Sequence, residues 1–509
     1  MKKSALINVL TGILKIVLVS IIALVLTSLL LNNLGKTNYG IIALFSSFNQ
    51  YIGLLILAIS GTVFKFVSIE YNKDNNLEET NKYYSTSFYS LVTIMSIIFF
   101  ALLILSPYIG DLLNIENYNK NKQKFFLLSI FSFLLTSIVS IFVVAPMIKH
   151  KFYLNDYANI ISKILQFILI LILIYFANNL NLMTYGYSLV LFSVLYLLFS
   201  ILISRKIIPE LNISVNFFSL NHLKEILSMG FKVILNNLGI LLYTNTDIII
   251  ISIFLGTAYV SEYSISLQLA LFIALIGSVV SRLFNPQISS LIARGKYKYL
   301  GTYIVMNSKI FFIFVGLFFI LITSLSKEIL FLWLGGDFVD MYKYVILLAL
   351  YQLFHQSTVL FFMYFTLANK LTIPLVTTII AGIINTILSI LIIKFTDLGL
   401  TGIILITIIT VFFKTVIFNS YYTCYLLGIN FLKLIIMYFK ILVFISIFSF
   451  LGHISIEFIF NDSYFLLTLY IILISFIYIS ISYTFILTKK EKIEVLHMTK
   501  LYNKVKNYA

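Results

Sequence analysis

Residues 229–284 read MGFKVILNNLGILLYTNTDIIIISIFLGTAYVSEYSISLQLALFIALIGSVVSRLF. Two apolar runs, 229–254 and 260–284, are separated only by the short stretch from Leu255 to Tyr259. Each run exceeds the roughly 20 residues that a helix needs to cross a hydrocarbon core. A transmembrane β-strand would alternate apolar and polar residues instead. The segment therefore reads as a helical hairpin in a membrane. Working outward, the same reading gives fourteen spans: 11–31, 39–64, 85–106, 125–147, 158–177, 184–203, 229–254, 260–284, 301–325, 344–365, 372–393, 400–423, 434–451 and 464–487. The expected fold class is an all-α polytopic membrane protein.

Composition agrees with that expectation and excludes other classes. Of 509 residues, 61% are hydrophobic and 11% charged, with a mean hydropathy of +1.05. Soluble domains carry roughly 25% charged residues, so a water-soluble fold is excluded, and so is disorder. The single cysteine, Cys424, excludes an intrachain disulfide. Five scattered histidines make no zinc site. Met1-Lys2-Lys3 precedes an apolar run to Leu31 with no small-residue exit, so it reads as a retained first helix rather than a signal peptide.

Lys and Arg in the short connections set the expected orientation. With a cytoplasmic N-terminus, 22 of them fall inside and 6 outside. That split predicts both termini in the cytoplasm of a multi-pass protein. The net charge of +16 then faces anionic lipid head groups, and no nucleic-acid partner is expected. A break at Pro209 follows the sixth span, and two spans follow Cys424. The expected organisation is an N-terminal six-helix lobe (1–208), a C-terminal six-helix lobe (209–423), and two extra helices with a basic tail (424–509). The first and seventh spans both leave through a Leu-Gly pair followed by a tyrosine: Leu34-Gly35 with Tyr39, and Leu255-Gly256 with Tyr259. Paired halves of this kind are common in transporters.

Four stretches carry a family resemblance. They are LNNLGKTNYG (31–40), TDIIIISIFLGTAYVSEYSISLQLA (246–270), LFNPQISSLIARGKYKYL (283–300) and EILFLWLGGDFVDMYKYVILLAL (328–350). Together the chain resembles a Wzx-type polysaccharide flippase, in the superfamily that also holds the MATE drug exporters and the lipid II flippases. The resemblance implies two six-helix lobes around a central cavity and alternating access. It also implies a polyprenyl-pyrophosphate-linked oligosaccharide as cargo, a bacterial cytoplasmic membrane, and no enzymatic activity. Polysaccharide polymerase and chain-length machinery are the implied protein partners. The motif residues resemble turn and packing positions, so no catalytic role follows from them.

Ionisable residues inside spans are costly and mark function by default. Lys15, Lys163, Lys232, Lys309, Lys394, Lys414 and Lys440 lie in or at the edges of spans, against one embedded acid, Asp247. The first six spans are read as free of Asp and Glu. This balance suits an anionic cargo, because lysine donates to phosphate as a point charge. Snorkelling to the interface is the alternative for each lysine, and it fits Lys394 and Lys440 best. On the fifth span, Asn155, Asn159, Ser162, Lys163 and Gln166 recur at helical spacing; on the seventh, Lys232, Asn236, Gly239, Tyr243 and Asp247 do so. Such stripes either face a cavity or hydrogen-bond to neighbouring helices.

The expected substrate-binding set is therefore Lys15, Lys163, Gln166, Lys232, Asn236, Lys309 and Lys414. Asp247 and His355, the latter with Gln352 and Gln356, are candidates for ion coupling or for pairing between lobes. No cofactor is expected beyond a coupling Na⁺ or proton. The tail 489–509 reads as a basic amphipathic surface helix. The last two spans are either dispensable or form a groove for a lipid tail. Rival readings are a MATE-like multidrug antiporter, a lipid II flippase, and a polyprenyl-dependent polymerase or glycosyltransferase. The first of these expects acids in the first lobe. The last needs a catalytic outside loop, and the largest one offers only Asp111 and Glu116 as acids.

Overall fold

The computed structural model describes residues 2–73, 76–459, 464–489 and 491–492. They are almost wholly helical, and no strand occurs among them. Among the described residues, thirteen helices are long and apolar enough to cross a membrane. The first covers Leu10–Tyr71. Its 62 residues would run roughly 90 Å as one rod, three times the hydrocarbon thickness. It breaks at Gly35, whose backbone (φ 77°, ψ 167°) is not helical. Counting its two arms gives fourteen spans, as the apolar pattern predicts.

These are α1 (2–34) and α2 (36–60), the two arms of the helix Lys2–Ser60. Then come α3 Leu77–Leu105, α4 Lys120–Phe142, α5 Phe152–Tyr175, α6 Leu182–Ile207 and α7 Leu220–Thr244, continued by Thr246–Leu255. They are followed by α8 Thr257–Ser281, α9 Tyr297–Ser324, α10 Tyr342–Ser357 with its continuation Val359–Leu367, and α11 Thr372–Phe395. Last are α12 (Gly399–Val411, the π-helical turn Phe412–Asn419 and Ser420–Leu427), α13 Phe431–Ile459 and α14 Tyr464–Ile481.

The helices are amphipathic in the sense that a lipid solvent demands. On α11 the buried face carries Pro374, Thr378, Gly382, Asn385 and Ser389. Its exposed face carries Ile373, Val376, Ile380, Ile383, Ile387 and Leu391. Lipid tails are as apolar as leucine, so burial there rewards small residues and hydrogen bonds rather than large apolar groups. Thr407 of α12 donates such a bond to Asn385 Oδ1 at 3.3 Å.

Two compact units divide the chain, Met1–Glu262 and Tyr263–Ala509. In the first, α7 packs on α2 through glycine: a Cβ at Gly230 would stand 2.1 Å from the Ala58 carbonyl oxygen. One at Gly40 would stand 1.8 Å from the Thr257 oxygen. The packing boundary thus falls after α7, whereas the expected second lobe starts at residue 209.

One backbone conformation recurs at the Leu-Gly exits. Gly35 (φ 77°, ψ 167°) and Gly256 (φ 94°, ψ 168°) end α1 and the α7 continuation in one glycine-favouring conformation. Gly335 (φ 94°, ψ 176°) does the same in the LGG of the fourth motif. Breaks recur as well. α2 gives way at Gly61-Thr62 to a short helix, and α8 at Arg282–Phe284. α4 breaks at Val143 and α10 at Thr358.

Candidate functional site

The polar stripe of α5 is built as spaced, and Asn159, Ser162, Lys163 and Gln166 find partners inside the first unit, while Asn155 Oδ1 is buried without a hydrogen bond among the described residues. Ser162 donates to the Ala158 carbonyl. Gln166, fully buried, donates to Ser188 Oγ of α6 at 3.4 Å and accepts from Lys163 Nζ at 2.8 Å. Asn159 bonds the Tyr196 phenol of α6. Lys163 Nζ also lies 5.1 Å above the Phe192 ring, within cation–π range. Among the described residues, no carboxylate pairs with Lys163.

One expectation is corrected here. The first six spans are not free of acids, because α5 starts at Phe152 rather than at 158 and carries Asp156 in its second turn. Asp156 accepts from Lys15 Nζ of α1 at 3.0 Å. Asn8 secures the same helix pair. Its Nδ2 donates to the His150 carbonyl at 2.9 Å, and its Oδ1 accepts from the Tyr153 N–H at 3.0 Å. Lys15 is therefore an ion-paired residue of the α1–α5 contact.

Asp247 is fully buried, at the first turn after the α7 break. That break, at Asn245, interrupts the stripe expected to run from Lys232 to Asp247. Side chains of α2 satisfy the exposed backbone: Ser47 Oγ donates to the Asn245 carbonyl at 3.1 Å, and the Tyr51 hydroxyl to the Leu241 carbonyl at 3.2 Å. Tyr51 also hydrogen-bonds the Thr246 hydroxyl. Broken helices survive at membrane depth only when neighbours supply such partners. The side chains of Lys232, Asn236 and Tyr243 lie outside the described residues.

In the second unit, Lys309 is 8% exposed. Its ammonium donates to Glu491 Oε2 and to the Ile486 carbonyl, each at 2.8 Å. Lys309 thus caps the π-helical turn Ser482–Ile486 that follows α14, and Glu491 neutralises it. Lys414 sits in the π-helical turn of α12, a distortion often found at functional positions. Its Nζ lies 5.6 Å above the Phe362 ring, and it is within electrostatic reach of His355. Among the described residues, no carboxylate pairs with Lys414. His355 packs against Tyr351, with centroids 6.3 Å apart, one turn before the α10 break. Tyr438 of α13 donates to the Ser357 carbonyl at that break, at 3.0 Å. Gln352 and Gln356 are buried beside it.

The candidate positions thus lie beside two helix breaks, at Asn245 and Thr358. Residues 5–282 match the family model described as polysaccharide biosynthesis protein. The chain belongs to that family. The membrane protein EpsK of Bacillus subtilis (strain 168) is 22% identical over 410 residues, covering 79% of this chain and 80% of EpsK. Among solved structures, the lipid II flippase MurJ in an inward closed conformation superposes with a TM-score of 0.71 at 18% identity, covering 94% of this chain and 99% of MurJ. An inward-facing multidrug resistance MATE family transporter of the MOP superfamily follows at 0.63 and 14% identity, covering 83% and 98%. At these identities the two structures establish a shared fold.

Two partners escape a reading of span composition. Asp156 falls two residues outside its expected span, although 156, 159, 163 and 166 share the helical spacing that marks the stripe. Glu491 stands 182 positions from Lys309. Its only local signal is the Thr488-Lys489-Lys490-Glu491 pattern of a capping box. The Thr488 N–H donates to Glu491 Oε2 at 2.7 Å. The rest of the basic tail, 493–509, lies outside the described residues.

Proposed function

We propose that this member of the polysaccharide biosynthesis family flips polyprenyl-pyrophosphate-linked oligosaccharide repeat units across a bacterial cytoplasmic membrane. The polymer served would be an O-antigen, capsule or exopolysaccharide, and the transport cycle one of alternating access. The observation that carries the reading is a sorting of the embedded lysines. Lys15 and Lys309 are consumed by carboxylates, while Lys163 and Lys414 keep an uncompensated charge at depth. An unpaired buried cation is costly, and a pyrophosphate relieves that cost as it binds. Such relief supplies the differential affinity that a population shift requires. Gln166 holds the Lys163 ammonium in place. Asp247 and His355, each beside a helix break, are the proposed coupling positions for a proton or Na⁺. The lysine and arginine bias supports a cytoplasmic position for both termini.

Expression in strains that each lack one defined flippase tests the cargo. Polymer export should return in a strain deficient in a Wzx-type flippase. Lipid II is the second reading, favoured by the fold likeness to MurJ. Rescue of growth in a strain depleted of its lipid II flippase, without restored polymer export, would replace the first reading with the second.

A further inference from the structure

α9, α13 and the π-helical turn Ser482–Ile486 that follows α14 wall a groove of about 390 Å³ in the second unit. Three lysines line it, Lys309, Lys433 and Lys440, together with Ile436, Phe444 and Phe485. Lys433 stands in the first turn of α13, beside the turn that follows α14, and Lys309 reaches the groove from twelve residues into α9. Lys433 and Lys440 are seven residues apart on α13, two helical turns on one face. Both are exposed, and neither has a carboxylate within ion-pair distance among the described residues. Lys309 is neutralised by Glu491, yet its ammonium has three donors and spends two, on Glu491 and Ile486. The groove therefore carries two uncompensated positive charges and a spare donor.

Its walls are apolar. Phe485 is 83% exposed at the lip and Ile436 53% exposed. Phe444 is braced by Tyr478, with rings stacked at 5.4 Å. Further along the same helix, Leu442, Val443, Ile447 and Phe450 line a second groove of about 360 Å³. A soluble anion would gain nothing from such walls, whereas a lipid offers both an anionic head and acyl chains. Basic pockets between transmembrane helices at a membrane surface suit that combination.

We infer that this groove is a binding site for an anionic phospholipid of the surrounding leaflet, its phosphate held by Lys433, Lys440 and the spare donor of Lys309. Glu491 draws the Lys309 ammonium toward the tail and so limits the site's affinity. No step of cargo transport is needed for the binding.

Full-length protein, purified and exchanged into mixed micelles of phosphatidylglycerol and phosphatidylcholine, tests this by mass spectrometry of the lipids it retains. The wild type should retain phosphatidylglycerol over phosphatidylcholine. Lys433→Gln with Lys440→Gln should lower that retention roughly thirtyfold, from the worth of two lysines near an anionic surface, with an unchanged melting temperature. Glu491→Gln should raise it, and Lys206→Gln, on α6, should leave it unchanged. Retention by the double variant equal to that of Lys206→Gln overturns the inference. So does a polyprenyl phosphate displacing phosphatidylglycerol at equimolar concentration, which would assign the groove to cargo. Loss of selective retention leaves the flippase reading untouched, because no transport is measured.

Discussion

Lys163 of α5 and Lys309 of α9 start from the same signal, a lysine inside an apolar span, and end in opposite electrostatic states. Lys163 rests on an amide and an aromatic ring, at 2.8 Å from Gln166 Oε1 and 5.1 Å from the Phe192 centroid. Lys309 meets a carboxylate and a carbonyl. The first is a charge held ready with neutral partners. The second is a charge already spent on closing the turn that follows α14. Embedded lysines therefore cannot be pooled into one cation cluster; what each does depends on the helix it faces.

The largest expected effect breaks the first half of this contrast. Lys163→Gln should lower polymer export at least about tenfold, since removing a charge-assisted bond to phosphate forfeits more than a neutral hydrogen bond does. Lys163→Arg should be partly active, and Lys414→Gln should resemble Lys163→Gln. Export is read as surface polysaccharide normalised to protein level in the membrane. Normal export from both Gln variants would return these lysines to an interfacial, snorkelling role.

The second half is a matter of stability rather than transport. Glu491→Gln leaves the Lys309 ammonium buried without its counter-charge. The pair's side chains are 10% and 12% exposed, so the loss should be about 3 kcal/mol, read from thermal unfolding of the purified protein. Lys309→Met combined with Glu491→Gln should recover most of it. A double variant no more stable than Glu491→Gln alone would show that the carbonyl cap matters more than the ion pair.

Smallest is the effect at the α1–α5 contact. The Lys15 side chain is 35% exposed and Asp156 16%, so solvent screens the pair, and Asp156→Asn should cost about 1 kcal/mol or less. Export should persist. Export abolished at normal protein level would instead make Asp156 a coupling acid, the role that a MATE-like antiporter expects in its first lobe.

Much of the architecture was legible because a bilayer imposes it. Fourteen spans follow from run length alone, and the Leu-Gly exits of the first and seventh spans mark chain reversals that only glycine accommodates readily. The helix breaks at Asn245 and Thr358 were not legible. Their local sequence is polar, Thr244-Asn245-Thr246-Asp247 and His355-Gln356-Ser357-Thr358, but such residues also fit an unbroken helix that hydrogen-bonds to its neighbours, and the breaks are stabilised by Ser47, Tyr51 and Tyr438 from other helices. The stripe of α5 was legible as a stripe, but its direction was not. Polar spacing along one helix is the same whether the partners are water, cargo or a neighbouring α6.

By itself the sequence determined that this protein lives in a membrane, how many times it crosses, and where it carries excess positive charge. Those properties are sums over residues along one chain, so composition and spacing contain them. Tertiary structure alone decided which lysines remain uncompensated, because ion pairing depends on distances between helices far apart in sequence. Lys15 with Asp156, 141 residues away, and Lys309 with Glu491, 182 residues away, become pairs only when the helices pack.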